Sequence, residues 1–259
     1  MGHQRIGVLP ATRHWRAVIE LIAGGADVGS VAAANSHAAE ASLSVYSDDP
    51  AVRRAFYLLT QIPLAARTDD FRASLRHLGL PVDEPNLIQI SASYLEAIDK
   101  AAGRHRSDLG EITALSAVES LQAIAGRSLN TLFGSYGGSV SETQKVLADL
   151  GTVKQFGFLA RDFFARLVRR HLDYYLSREL PNHVGINQRF ASLREHKIFE
   201  EGLEVHCREV AHIVTRFAGE WFSKTNFEGG ITEAKAGRFV HVAFKKLRKE
   251  LGLRGNTGA

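Results

Sequence analysis

No disulfide framework is open to this chain, because its 259 residues contain a single cysteine, Cys207. Long apolar runs are missing too. The most hydrophobic early stretch, AVIELIAGGADVGSVAAA, is broken by Glu20 and Asp27, and nothing approaches the roughly 18 apolar residues that a membrane-spanning helix needs. The N-terminal residues MGHQRIGVLPATRHW lack the uninterrupted apolar core of a secretion signal. These absences predict a cytoplasmic protein in a reducing compartment, with no passage through a membrane.

Catalytic and cofactor signatures are equally scarce. The stretch FGSYGGSV, residues 133–140, is glycine-rich, but a P-loop needs G-x-x-x-x-G-K-[S/T] after a strand so that backbone amides and a lysine hold the phosphates together. Here there is no lysine in that place and no preceding strand, and the dinucleotide fingerprint G-x-G-x-x-G is absent. Ser139 with Glu142, or Ser141 with Gln144, instead has the spacing of a reciprocal helix cap. The stretch reads as a hinge over 134–141 that opens onto a helix. No G-x-S-x-G nucleophile elbow occurs. The carboxylate pairs Asp69-Asp70 and Glu200-Glu201 are neighbours in sequence, so they diverge on a helix and read as caps and solvated faces. In HCREVAH, His206 and His212 are six residues apart and do not converge as the histidines of H-E-x-x-H do. A zinc site there would require His183 or His196 from elsewhere in the fold. No metal and no cofactor are expected.

What the chain does have is helical periodicity almost throughout. Hydrophobic residues make up 45% and charged residues 23%, which suits a packed core rather than disorder. Trp15, Val18, Ile19 and Ile22 follow one face of a first helix, with Thr12 as its cap and Gly24 as its stop. Asp27 is placed to cap the alanine-rich DVGSVAAANSHAAEASLSVY. Pro50 opens a helix carrying Val52, Phe56 and Leu59, which Pro63 ends or kinks. Phe71, Leu75 and Leu78 mark a short helix closed by Gly79 and Pro81, and two longer runs follow to about residue 125. Beyond the hinge, FGFLARDFFARLVRRHLDYYLSREL buries Phe156, Leu159, Phe163, Leu167, Tyr174 and Leu176. Its polar face carries Asp162, Arg166, Arg169 and Asp173 at ion-pair spacing. Pro181 stops it. IFEEGLEVHCREVAHIVTRFAGEWF reads as one helix in which Cys207 is a small core residue, SKTNFEGGITEAK as a loop, and AGRFVHVAFKKLRKELG as the last helix. No β alternation is found. The prediction is a mainly α fold with little or no sheet: an N-terminal helical array (1–133), a Gly/Ser hinge (134–141) and a C-terminal helical region (142–259).

Charge is unevenly spread. Residues 1–160 hold 14 Lys and Arg against 16 Asp and Glu, whereas 161–259 hold 18 against 12. The excess is concentrated in 235–254, where Lys235, Arg238, Lys245, Lys246, Arg248, Lys249 and Arg254 meet one acid, Glu250. With Val240, Phe244, Leu247 and Leu251 packed inward, Arg238, His241, Lys245, Arg248 and Lys249 form a basic surface. Such a surface suits a phosphate backbone without reading sequence, an acidic partner protein, or simple solubility.

One enzymatic alternative has a motif behind it. HEPN ribonucleases are all-helical and carry Arg-x(4 to 6)-His, a pattern that Arg166 to His171 resembles, as do Arg72 to His77 and Arg189 to His196. In that reading Arg166 stabilises phosphate charge and His171 transfers a proton. The residue after the arginine is apolar (Leu167 or Ala73), where the family usually has a polar one.

A second resemblance covers roughly residues 115–251. The segment AIAGRSLNTLF, the Gly/Ser break after it, the long helix with RHLDYYLSREL and the closing AGRFVHVAFKKL are similar in order to the B component of Qat-type bacterial anti-phage defence operons. That resemblance implies an accessory, non-catalytic subunit working with an ATPase and other proteins of the same operon. It carries over no catalytic residue.

Overall fold

A computed structural model describes residues 13–39, 48–134 and 138–255. The expected Thr12 cap, the middle of the hinge at 135–137 and the tail beyond 255 lie outside the described residues. The helices are α1 (Arg13–Ala23), α2 (Val28–Ala38), α3 (Pro50–Ala65), α4 (Phe71–His77), α5 (Leu87–Ala102), α6 (Asp108–Phe133), α7 (Val140–Leu150) and α8 (Val153–Glu179). A 3-10 turn (Leu180–His183) then leads to α9 (Leu193–Val210), α10 (His212–Phe227) and α11 (Glu233–Gly255). Among the described residues there is no strand, and one isolated bridge pairs Val184 with Phe190. The fold is mainly α.

Most helix starts are written in short polar side chains. Asp27, Asp49, Asp70, Asn86, Ser107, Ser139, Thr152 and Ser192 each accept a hydrogen bond from a backbone N–H of the first turn, which would otherwise be unsatisfied. Ser139 and Glu142 form the reciprocal cap, with Ser139 N donating to Glu142 Oε2 at 2.7 Å. The glycine stretch therefore does start a helix. Gly134, just before it, ends α6 in the left-handed conformation at φ 70°, a region open to glycine at little cost.

Pro63 lies inside α3, which ends two residues later at Ala65. Two local expectations change. The run from Ile198 to Phe222 is not one helix. It divides at Ala211, where Val214 N donates three residues back to Ala211 O, and α10 turns to lie along α8. The loop written as SKTNFEGGITEAK is also shorter, because α10 continues to Phe227 and α11 begins at Glu233. At Ala211 the close fit of α10 against α8 overrides local pattern, whereas the added turn of α10 is mostly exposed.

The N-terminal array and the C-terminal region share one core. Phe56 of α3 is fully buried and meets Phe163, Phe164 and Phe156 of α8 at ring-centroid distances of 5.4, 5.7 and 6.4 Å. It also meets Phe239 of α11 at 5.2 Å and Trp221 of α10 at 5.9 Å. Further ties come from buried polar groups. Asn35 of α2 donates to Leu172 O of α8 at 3.1 Å, and Tyr94 of α5 donates to Ala55 O of α3 at 2.5 Å. Ser107 donates to the Asp49 carboxylate, joining the starts of α6 and α3. Glu119 of α6 accepts from Arg170 and Arg166 of α8 at 2.6 and 3.1 Å.

Helices α8 and α10 approach so closely that two positions admit no side chain. A Cβ on Gly157 would lie 2.3 Å from Thr215 O, and one on Gly219 would lie 2.3 Å from Val153 O. Both obstacles are backbone, so the helices themselves must part. Gly157→Ala and Gly219→Ala are each expected to lower stability by about 1–3 kcal/mol, the usual cost of overpacking, despite alanine's better helix propensity. Urea denaturation checks this, and an unchanged or raised midpoint would contradict the packing.

Candidate functional site

Helix α11 is held from one side only. Phe239, Val240, Ala243, Phe244, Leu247 and Leu251 are buried, facing α2, α3 and α10, as their three- and four-residue spacing requires. Thr232 Oγ1 accepts from Lys235 N at 3.2 Å and caps the start. Arg54 of α3 reaches Glu233 at 2.8 Å and also donates to Leu78 O, fixing the first turn in place.

The outward face is cationic and uncompensated. Arg238, Lys245 and Lys249 are exposed and lie within about 60° of arc on an ideal helix. Among the described residues none of the three has an ion pair or hydrogen-bond partner for its side chain. On α9 and α10, by contrast, four cations are paired with nearby acids: Lys197 with Glu201, Arg208 with Glu204, Arg216 with Glu220 and Lys224 with Glu228. No acid occurs from Ala234 to Lys249. Glu250, which ends that interval, is engaged by Arg254 at 2.9 Å. The other two residues expected in the stripe sit to one side, since His241 and Arg248 are half-buried. Lys246 turns away and lies over the Phe217 ring at 4.8 Å.

Arg166 and His171 are not brought to a common solvent-facing site. Five residues along a helix turn the chain by about 140°, and their surroundings differ accordingly. Arg166 pairs with Asp162 at 2.7 Å and Glu119 at 3.1 Å. His171 is 2% exposed, between the Tyr175 and Phe244 rings at 5.8 and 5.5 Å. Arg189 is also structural in its contacts. It donates to Ile22 O and Ala26 O at 3.2 and 2.5 Å and stacks over Phe190 and Phe199. Arg72 and His77 lie exposed on the short α4.

The remaining chemistry-bearing groups are dispersed. Among the described residues no three His, Cys, Asp or Glu side chains gather in a metal-holding group. Cys207 is fully buried, and burial pushes its thiol up to about 12, which keeps it protonated and a poor nucleophile. His206 is pushed below the ordinary imidazole value by burial first and then by the Arg254 charge. No helix among the described residues is long and apolar enough to cross a membrane.

Two concavities escaped the sequence reading. A groove of about 630 Å³ runs between α5 and α6, with Leu95 and Leu115 beside Glu96, Asp99 and Glu111. A second, of about 400 Å³, draws Arg127, Arg161 and Arg208 from three different helices. No linear spacing marks either of them, because the residues meet only after α5 has packed on α6 for the first, and α6 and α9 on α8 for the second.

His171 makes stability depend on pH. Burial lowers its imidazole to about 4, against about 6.5 in an unfolded chain. Between these values the unfolded chain takes up a proton that the folded chain does not, so this contribution is complete above about pH 6.5 and is lost as the pH falls toward 4. From pH 7.5 to 5 the native chain should lose about 2 kcal/mol more than a His171→Gln variant. Urea midpoints at the two pH values measure the difference, and equal losses would contradict a neutral buried His171.

No family model, no curated protein and no solved structure matches this chain.

Proposed function

We propose that this chain is a non-catalytic accessory subunit that docks on a nucleic-acid backbone through α11. The observation that carries the reading is the acid-free interval from Ala234 to Lys249, whose outward cations Arg238, Lys245 and Lys249 are unpaired while neighbouring helices pair theirs. From Arg238 to Lys249 the stripe spans about 16 Å at the usual rise of a helix, close to the axial rise of five nucleotides of one strand. A row of cations along one outward helix face suits phosphate contacts that set position without reading bases. The dispersed histidines and acids support a binding role rather than catalysis. The resemblance of residues 115–251 to the B component of Qat-type operons supports a cytoplasmic, multi-protein setting in phage defence, with companion subunits supplying any catalysis.

Affinity for a labelled duplex should fall steeply with salt. Three phosphate contacts correspond to a log–log slope of about −3, and Lys245→Glu/Lys249→Glu should weaken binding at least about tenfold and flatten the slope by about 2. Fluorescence anisotropy between 50 and 300 mM salt reads both. Affinity indifferent to salt and to the charge reversal would overturn nucleic-acid docking. Binding confined to an acidic companion protein, and lost in the same variant, would replace the nucleic acid with a protein partner.

A further inference from the structure

The groove between α6 and α8 differs in kind from the α11 surface. Its volume of about 400 Å³ lies in the range of small-ligand sites. Arg127 of α6 and Arg161 of α8 line it, with Arg208 of α9 and Phe158 of α8. The neighbouring charges are already engaged: Asp162 holds Arg166 at 2.7 Å, and Arg208 is held by Glu204. Arg127 and Arg161 have neither a carboxylate nor a hydrogen-bond partner among the described residues. Three guanidinium groups thus line one concavity against a single lining carboxylate, Asp162, which is committed to Arg166, and two of the three, Arg127 and Arg161, carry no ion pair of their own among the described residues.

The same groove exposes a ring. Phe158 is 38% exposed, whereas Phe156, Phe163 and Phe164 of the same helix are fully buried. It precedes Arg161 by one turn. One turn earlier still stands Gln155, whose side-chain amide has no partner among the described residues and offers both a donor and an acceptor. Paired guanidinium forks match phosphate oxygens, and an exposed aromatic face stacks on a planar base. We propose that this groove binds a free nucleoside 5′-monophosphate, with its phosphate between Arg127 and Arg161 and its base against Phe158. Gln155 lies within reach of the base edge. The site is separate from α11, none of whose residues lines the groove.

The test is calorimetric titration of the intact chain with the four ribonucleoside 5′-monophosphates, with ribose 5-phosphate and the matching nucleosides as partial ligands. At least one monophosphate should bind, and about tenfold more tightly than either of its partial ligands. Arg127→Ala and Arg161→Ala should each weaken it about tenfold. Phe158→Ala should bring its affinity down to that of ribose 5-phosphate. Lys245→Glu/Lys249→Glu should leave it unchanged, so failure here is distinguishable from failure of nucleic-acid docking by α11. The proposal is overturned if no monophosphate binds at millimolar concentration, or if binding survives both arginine substitutions. It is overturned equally if binding is lost only in the α11 variant, or if ribose 5-phosphate binds as tightly as the nucleotide.

Discussion

Phe56 holds the two halves of this chain together. It comes from α3, in the N-terminal array, yet its ring neighbours are Phe156, Phe163 and Phe164 of α8, Trp221 of α10 and Phe239 of α11. Aromatic pairs of this kind contribute about 0.5–1.5 kcal/mol each beyond the area they bury. A phenylalanine in such a position costs about 3–5 kcal/mol to truncate to alanine. The consequence for function is positional. α11 is packed directly on α3, so the cationic stripe is fixed to the N-terminal half as firmly as to the helices that precede it in sequence.

The close contact of α8 with α10 supports the same arrangement. Gly157 and Gly219 let the two backbones touch, which brings Trp221 and Phe222 within reach of the α3 and α8 rings. Buried ties between helices, such as Asn35 to Leu172 O and Tyr94 to Ala55 O, then use polar side chains for register. Cys207 and His171 belong to this structural class: burial keeps one protonated and the other neutral. The unpaired cations Arg238, Lys245 and Lys249 of α11 face outward.

Legibility in the sequence follows the range of the interaction. Caps such as Asp27 and Ser139 act over three residues and were readable, as was the inward face of α11 with Val240, Phe244, Leu247 and Leu251. The mainly α class followed from the same periodicity. The break at Ala211 was not readable, because no proline or left-handed glycine marks it and only the fit of α10 against α8 requires it. The extension of α10 through Ser223–Phe227 was hidden because its residues are mostly exposed and polar, so no apolar period runs through them. The basic stripe was half readable: periodicity placed Arg238, Lys245 and Lys249, but the withdrawal of His241 and Arg248 depends on neighbouring helices. The link from Glu119 to Arg166 and Arg170, and the meeting of Arg127, Arg161 and Arg208, join residues far apart in sequence. Nothing local announces them.

The two halves form one cooperative unit around Phe56, and the chain carries its own pair of reporters. Trp15 lies in α1 and Trp221 in α10, so Trp15→Phe and Trp221→Phe each leave one tryptophan to follow one half. The decisive measurement is urea unfolding of both single-tryptophan chains, with and without Phe56→Ala, each against the circular dichroism of its own helices. Within each chain, fluorescence and circular dichroism should give one coincident transition, and Phe56→Ala should move the midpoints of both backgrounds together to lower urea. Separate transitions for the two halves, or a Phe56→Ala shift confined to one tryptophan, would contradict a shared core.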